Sequence, residues 1–163
     1  MYRFGHFGVA LLAYAPLGVG VALAGAEGLA VVGGLVCVSL STFPDCDHDV
    51  PFLEHRGITH TLGFAVLVGV VLAAAASVLL TGTLSSSVSL IVPFAFVVGT
   101  LSILSHLLAD AITPMGIRPF RPVSSYHYTA ELTPAANPVA NYALFAIGVV
   151  VTAASVWLVA VLS

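Results

Sequence analysis

The chain has 163 residues, 60% of them apolar and only 7% charged, with a formal net charge of -3 and a mean hydropathy of +1.12. Soluble domains use roughly 45–50% apolar residues, so the composition excludes an ordinary soluble globule and reads as an all-α polytopic helical bundle, one integral-membrane domain over residues 1–163. The four basic residues are all arginines and form no basic stripe, which argues against nucleic acid as a partner, and Cys37 and Cys46 make neither a disulfide framework nor a C-x-x-C pair.

The first apolar run covers residues 7–24. Arg3 ahead of it and the small residues at its end also fit a secretory leader. Cleavage would discard His6, however, and the Gly-Val alternation with Pro16 is that of a packed, kinked membrane helix. Residues 25–27 leave room only for a tight hairpin before the second run, 28–43. That run is short against the roughly 20 residues a bilayer requires, and its ending in Ser39, Ser41 and Thr42 turns its last residues toward protein or water. Residues 43–61, F-P-D-C-D-H-D-V-P-F-L-E-H-R-G-I-T-H-T, then gather four of the seven acidic side chains and three of the six histidines. Such a density in so apolar a chain needs a compensating partner, and a divalent metal is the simplest.

A third run follows over 61–80, then a polar turn over 81–88 with Gly82 and three serines, then a fourth run over 89–112 with Pro93 in its first turn. Residues 113–141 are rich in proline and read as irregular, and a fifth run covers 142–162. Five alternating spans put the N-terminus, the acidic segment and the proline-rich segment on one face. Arg3, Arg56, Arg118 and Arg121 all fall there, so by the positive-inside rule that face is cytoplasmic and the C-terminus lies on the outer face. All six histidines and every acid but Glu27 fall on it too, which predicts one polar site at one membrane surface.

His106 and Asp110, in S-H-L-L-A-D, are four residues apart on one helical face, about 6 Å along the axis, close enough to bind one ion together. His55 and His60, in H-R-G-I-T-H, converge if Gly57 turns the chain, and His60 stands at the mouth of the third helix. Asp45 and Asp47, read as extended, point the same way and form a carboxylate pair that a cation would neutralise. Capping would account for one aspartate but not for three with His48 between them. Cys46 is not read as a ligand, because the donors around it are hard oxygens and imidazoles.

The blocks P-D-C-D-H at 44–48, H-R-G-I-T-H-T at 55–61 and S-H-L-L-A-D-A-I-T-P-M-G at 105–116, with the early His6, resemble those of the YdjM-type membrane-bound metal-dependent hydrolases. Two positions depart from the pattern: Cys46 stands where an aliphatic residue is expected, and Gly5 where threonine is commoner. The resemblance implies a metal site drawn from His6, Asp47, His48, His55, His60, His106 and Asp110. A more distant likeness to the zinc-dependent phospholipases C implies that His60, His106 and Asp110 hold one ion, that His6 and a bridging Asp110 help hold a second, and that Asp45 or Asp47 orients the attacking water. His127 and Glu131 are second-tier candidates in that scheme.

On this footing the expected function is a membrane-embedded metal-dependent hydrolase that cleaves a phosphoester of a lipid or isoprenoid-type substrate. Zinc, one or two ions, is the first choice, with manganese or iron as alternatives. Arg56 is the expected fork for a phosphate oxygen, unless it pairs with Glu54 or Asp49, and Arg118 and Arg121 would draw anionic head groups. The alternative is a divalent-metal transporter or sensor built on the same cluster. Transport needs polar groups at mid-membrane, and none ionises between residues 62 and 101 or between 143 and 162.

Overall fold

A computed structural model describes residues 1–52, 54–81 and 88–163, apart from the side chains of Asp49, Val88 and Ser89. Most of the serine turn expected over 81–88 falls outside the described residues. The chain forms α1 (Arg3–Leu23), α2 (Glu27–Leu40), α3 (Leu62–Leu79), α4 (Val88–Ala111) and α5 (Pro138–Leu162). No strand occurs among the described residues beyond an isolated bridge between Ile117 and Tyr128. All five helices are long and apolar enough to cross a membrane, α2 when taken together with the segment that continues it to His48.

Helix α1 packs on α5, α2 and α4, while α3 packs on α4. In hydrocarbon the drive for this association is close packing, which small residues permit. At the α1–α5 crossing a side chain on Gly148 would meet the Gly8 carbonyl at 2.7 Å, and at the α3–α4 crossing one on Gly99 would come within 3.0 Å of the Gly69 backbone. Ala10, Tyr14, Cys37 and Val98 fill one core layer, and Ala65, Val68 and Ile103 another. Val31, Leu35, Leu79, Leu90 and Trp157 face outward, as expected of side chains solvated by lipid.

The helix ends differ from the sequence expectation in ways that shape the site. Helix α5 starts at Pro138 instead of residue 142, because proline is well suited to the first helical position and Asn137 caps it by accepting from the Val139 and Ala140 amides. Pro93 sits inside α4 and not in its first turn. Helix α2 ends at Leu40, three residues early, so its 14 residues span about 21 Å, short of a hydrocarbon core of roughly 30 Å. The acidic segment therefore begins inside the bundle end.

Candidate metal centre

The start of α1, the end of α2, the start of α3, the end of α4 and the start of α5 meet at one end of the bundle. Leu62 N donates to Pro119 O, and Tyr2 N donates to Asn141 Oδ1. Between α2 and α3 the chain makes two short 3-10 helices, Phe43–Asp49 and Ile58–His60. Thr61 then caps α3 by accepting from Phe64 N, which fixes His60 at its mouth.

Asp45, His60, His106 and Asp110 place one donor atom each within 4.8 Å of one another. The hydrogen bonds around the two imidazoles decide which nitrogens carry protons. His106 Nδ1 lies 2.7 Å from the Ser41 carbonyl oxygen, which can only accept, so Nδ1 holds the proton. Thr59 Oγ1 spends its hydrogen on Asp47 Oδ2 at 2.8 Å, so it accepts from His60 Nδ1 at 3.0 Å. Both Nε2 atoms are then bare lone pairs, and they face each other at 3.0 Å. Burial holds the His60 pKa below its ordinary value, against the opposing pull of Asp45, so a proton is a poor filler between the rings near neutral pH.

The carboxylates complete the set. Asp110 Oδ2 is buried with no hydrogen-bond partner and lies 3.5 Å from His60 Nε2 and 3.6 Å from His106 Nε2. Asp45 Oδ1 lies 3.5 and 3.6 Å from the same two atoms. A tetrahedral ion with bonds of about 2.0–2.1 Å holds its donors about 3.3 Å apart, so the observed edges fit one ion of that size.

His6 stacks on His106 with ring centroids 4.0 Å apart and planes 6° from parallel. Both of its nitrogens are buried without a hydrogen bond, and its Nε2 lies 3.7 Å from Asp45 Oδ2 and from Asp110 Oδ1. Each carboxylate thus turns one oxygen to the His60–His106 pair and the other to His6. Arg56 Nη2 donates to Asp110 Oδ1 at 2.9 Å, Arg56 Nη1 donates to Gly116 O at 2.7 Å, and the Met1 nitrogen also contacts Asp110 Oδ1, at 2.6 Å.

Asp45 and Asp47 do not form the carboxylate pair expected of an extended segment. They lie in a 3-10 helix, where about three residues per turn set positions two apart on different sides. Asp45 enters the buried cluster. Asp47 turns away, accepting from Thr59 Oγ1 and the Arg56 amide through Oδ2 and contacting His55 Nδ1 through Oδ1 at 2.9 Å. With His48, whose ring lies 3.7 Å from that of His55, these residues form a second group with donor atoms within 4.8 Å. The turn that arranges them is made by Arg56, at φ 59°. Gly57 is needed for a different reason, since a side chain there would strike the Glu54 carbonyl at 2.6 Å.

Other candidates lie outside the cluster. Arg121 pairs with Glu54 at 3.0 Å, so Glu54 is not the partner of Arg56, and the Asp49 side chain is outside the described residues. Arg118 is exposed on the same face. His127 is bonded through Nε2 to the Met115 carbonyl, and Glu131 is exposed; neither joins either group among the described residues. An apolar cleft of about 700 Å³, lined by α1, α2 and α5 residues from Leu11 to Ser163, contains none of the ligand candidates. Its lining includes Glu27 and Ser163.

Three supporting groups carry no sequence signal of the usual kind. The Ser41 carbonyl orients His106, and Thr59 links Asp47 to His60. Asn141 accepts from Tyr2 N and donates to Ala135 O and Asn137 O, holding the start of α1 against α5. Gly5 packs directly on the Asn141 side-chain amide, which a Cβ at that position would meet. A lone buried asparagine at the head of an apolar span was the available clue.

The sequence profile of the YdjM inner membrane protein family matches residues 1–163. No curated protein and no solved structure matches the chain.

Proposed function

The chain belongs to the YdjM inner membrane protein family, and from that premise we propose that it is a metal-dependent phosphoester hydrolase whose centre is the His60–His106–Asp45–Asp110 cluster with His6 beside it. The observation that carries this reading is the approach of two imidazole lone pairs to 3.0 Å in a buried site lined by two carboxylates. Arg56 and the Met1 nitrogen offset the charge on Asp110 Oδ1, but without a cation between them the two lone pairs and the carboxylate oxygens turned to them, Asp110 Oδ2 and Asp45 Oδ1, repel one another. The donor set, imidazole and carboxylate in a tetrahedral spacing, suits zinc first and manganese or iron next. Of the two carboxylate oxygens turned to His6, Asp110 Oδ1 is held by Arg56 and the Met1 nitrogen, which leaves Asp45 Oδ2 and the unpaired His6 nitrogens as the donors that a second ion would have to use.

With His60, His106 and Asp110 as the ligands and the position beside Asp45 left to water, a bound divalent ion would lower the pKa of that water from 15.7 to about 7 and polarise a phosphoryl oxygen. The residues supply the rest. Asp45 has 30% of its side chain exposed, whereas the other members of the cluster are at 0–1%, so substrate and water approach past Asp45 and its carboxylate is placed to take the proton of the attacking water. Asp47 is spent on orienting His60 through Thr59, a role that strengthens a ligand's basicity. Arg56 holds Asp110 as a carboxylate and, with its other nitrogen on Gly116 O, fixes the loop after α4 over the site.

The site lies where helix ends meet the membrane surface, which is the depth of a lipid phosphate, and Arg118 and Arg121 on that face complement an anionic head group. All four arginines lie on this face, and by the positive-inside rule they support the reading of it as cytoplasmic. An ion carrier would need ionisable groups continuing below the cluster, and there is none between residues 62 and 101 or between 143 and 162. The test is turnover of a short-chain lipid phosphomonoester or phosphodiester by chelator-stripped protein in detergent. Activity absent when stripped and restored by zinc or manganese supports the hydrolase; full metal loading with no turnover of either ester class argues for a sensor or carrier.

A further inference from the structure

We infer that Asp47, His48 and His55 form a second metal site, open to solvent and separate from the buried centre, that takes a divalent transition ion in readily exchanged form. Their donor atoms lie within 4.8 Å of one another. Asp47, its side chain buried, is divided between two tasks: Oδ2 accepts from Thr59 Oγ1 at 2.8 Å and from the Arg56 amide at 3.2 Å, while Oδ1 meets the part-exposed His55 at Nδ1, 2.9 Å away. That last contact has the length of a hydrogen bond between ring and carboxylate, which an ion entering between the two would replace, and it is the only hydrogen bond this oxygen makes among the described residues.

His48 makes the stronger case. It is exposed and makes no hydrogen bond to the described residues, yet its ring lies over that of His55 at 3.7 Å and 30°. Two imidazoles and a carboxylate oxygen are thus drawn together where each histidine could instead point to water. Three protein ligands with an open side leave at least one position for water, the pattern of exchangeable sites and not of closed structural ones, and the ligand types select zinc, nickel or copper over calcium or magnesium. The His60 ring stands between the two sites, with Nδ1 3.4 Å from Asp47 Oδ2 and Nε2 in the buried cluster. Asp47 is therefore a ligand outside and an orienting group inside.

The full chain, purified in detergent and stripped, is titrated with cobalt by its visible absorption and, in parallel, with zinc by equilibrium dialysis. Wild type, His48→Ala, His48→Gln and Asp110→Asn are compared. The wild type is expected to bind one equivalent more than either His48 variant, with that weaker equivalent's Kd raised at least tenfold in them, while Asp110→Asn keeps the weaker equivalent and loses the tight one. Binding to the His48 variants identical to wild type overturns the outer site and leaves the buried centre standing. Loss of all metal from both His48 variants and from Asp110→Asn at unchanged helix content also overturns it, because His48 and Asp110 would then belong to one shared site. Metal lost in the His48 variants but fully kept in Asp110→Asn upholds the outer site and removes the buried one.

Discussion

His60 and His106 face each other through Nε2 at 3.0 Å, each with Nδ1 tied to an acceptor behind it, Thr59 Oγ1 in one case and the Ser41 carbonyl in the other. Backbone and hydroxyl thus set both tautomers before any ligand arrives. The consequences are testable residue by residue.

Thr59→Val removes the hydroxyl that joins Asp47 to His60 while keeping the side-chain volume. His60 loses its orienting acceptor and Asp47 a donor, with the ligands themselves unchanged. Loss of such an outer partner typically costs 10–100-fold in metal affinity. Competition with a chromophoric chelator should show a weakening in that range, with the tight equivalent still present at saturating metal.

Arg56→Lys retains a charge but not the fork that bridges Asp110 and the Gly116 carbonyl, 2.9 and 2.7 Å away. A single ammonium does not reproduce a planar two-point contact. Metal content should stay at the wild-type level and turnover should fall at least tenfold. Unchanged turnover would reduce Arg56 to a topology marker.

Asn141→Ala removes the acceptor for Tyr2 N and two donors to backbone carbonyls at the α5 start. Each buried group left unpaired costs about 1–3 kcal/mol. Thermal unfolding in detergent should show a clear loss of stability. Metal affinity should fall less than in Thr59→Val, because only His6 rides on the start of α1.

How far the sequence foretold this site depended on whether local geometry was regular. The His106–Asp110 pair was legible because α-helical spacing puts i and i+4 on one face, and the six histidines and six of the seven acids fell on one side by counting spans. Asp45 and Asp47 were misread, since nothing in P-D-C-D-H distinguishes an extended run from a 3-10 turn, and the two geometries send alternate side chains in different directions. Ser41 acts through its backbone carbonyl, which no residue type advertises. Pro138 resembled a loop residue until Asn137 was seen to cap the helix it begins.

Acid should weaken the centre, and the sign follows from His60. Burial depresses its folded-state pKa below the ordinary 6.5, so between those two values the unfolded chain binds the extra proton and the folded chain does not. Stability of the stripped protein is therefore full above 6.5 and declines as pH falls below it. Melting of stripped protein between pH 8 and pH 5 should shift downward with acid, and His60→Gln should flatten that dependence.

The most direct measurement is the metal content of purified wild type beside Asp110→Ala, after reloading with zinc and removal of weakly held ion. Asp110 Oδ2 is an unpaired buried oxygen aimed at both facing imidazoles, so its removal should drop tightly held metal to below a tenth of the wild-type level while the variant stays helical and in the membrane. Equal tight metal in both samples, or none in the wild type after reloading, would mean that these histidines and aspartates serve one another and would contradict the account.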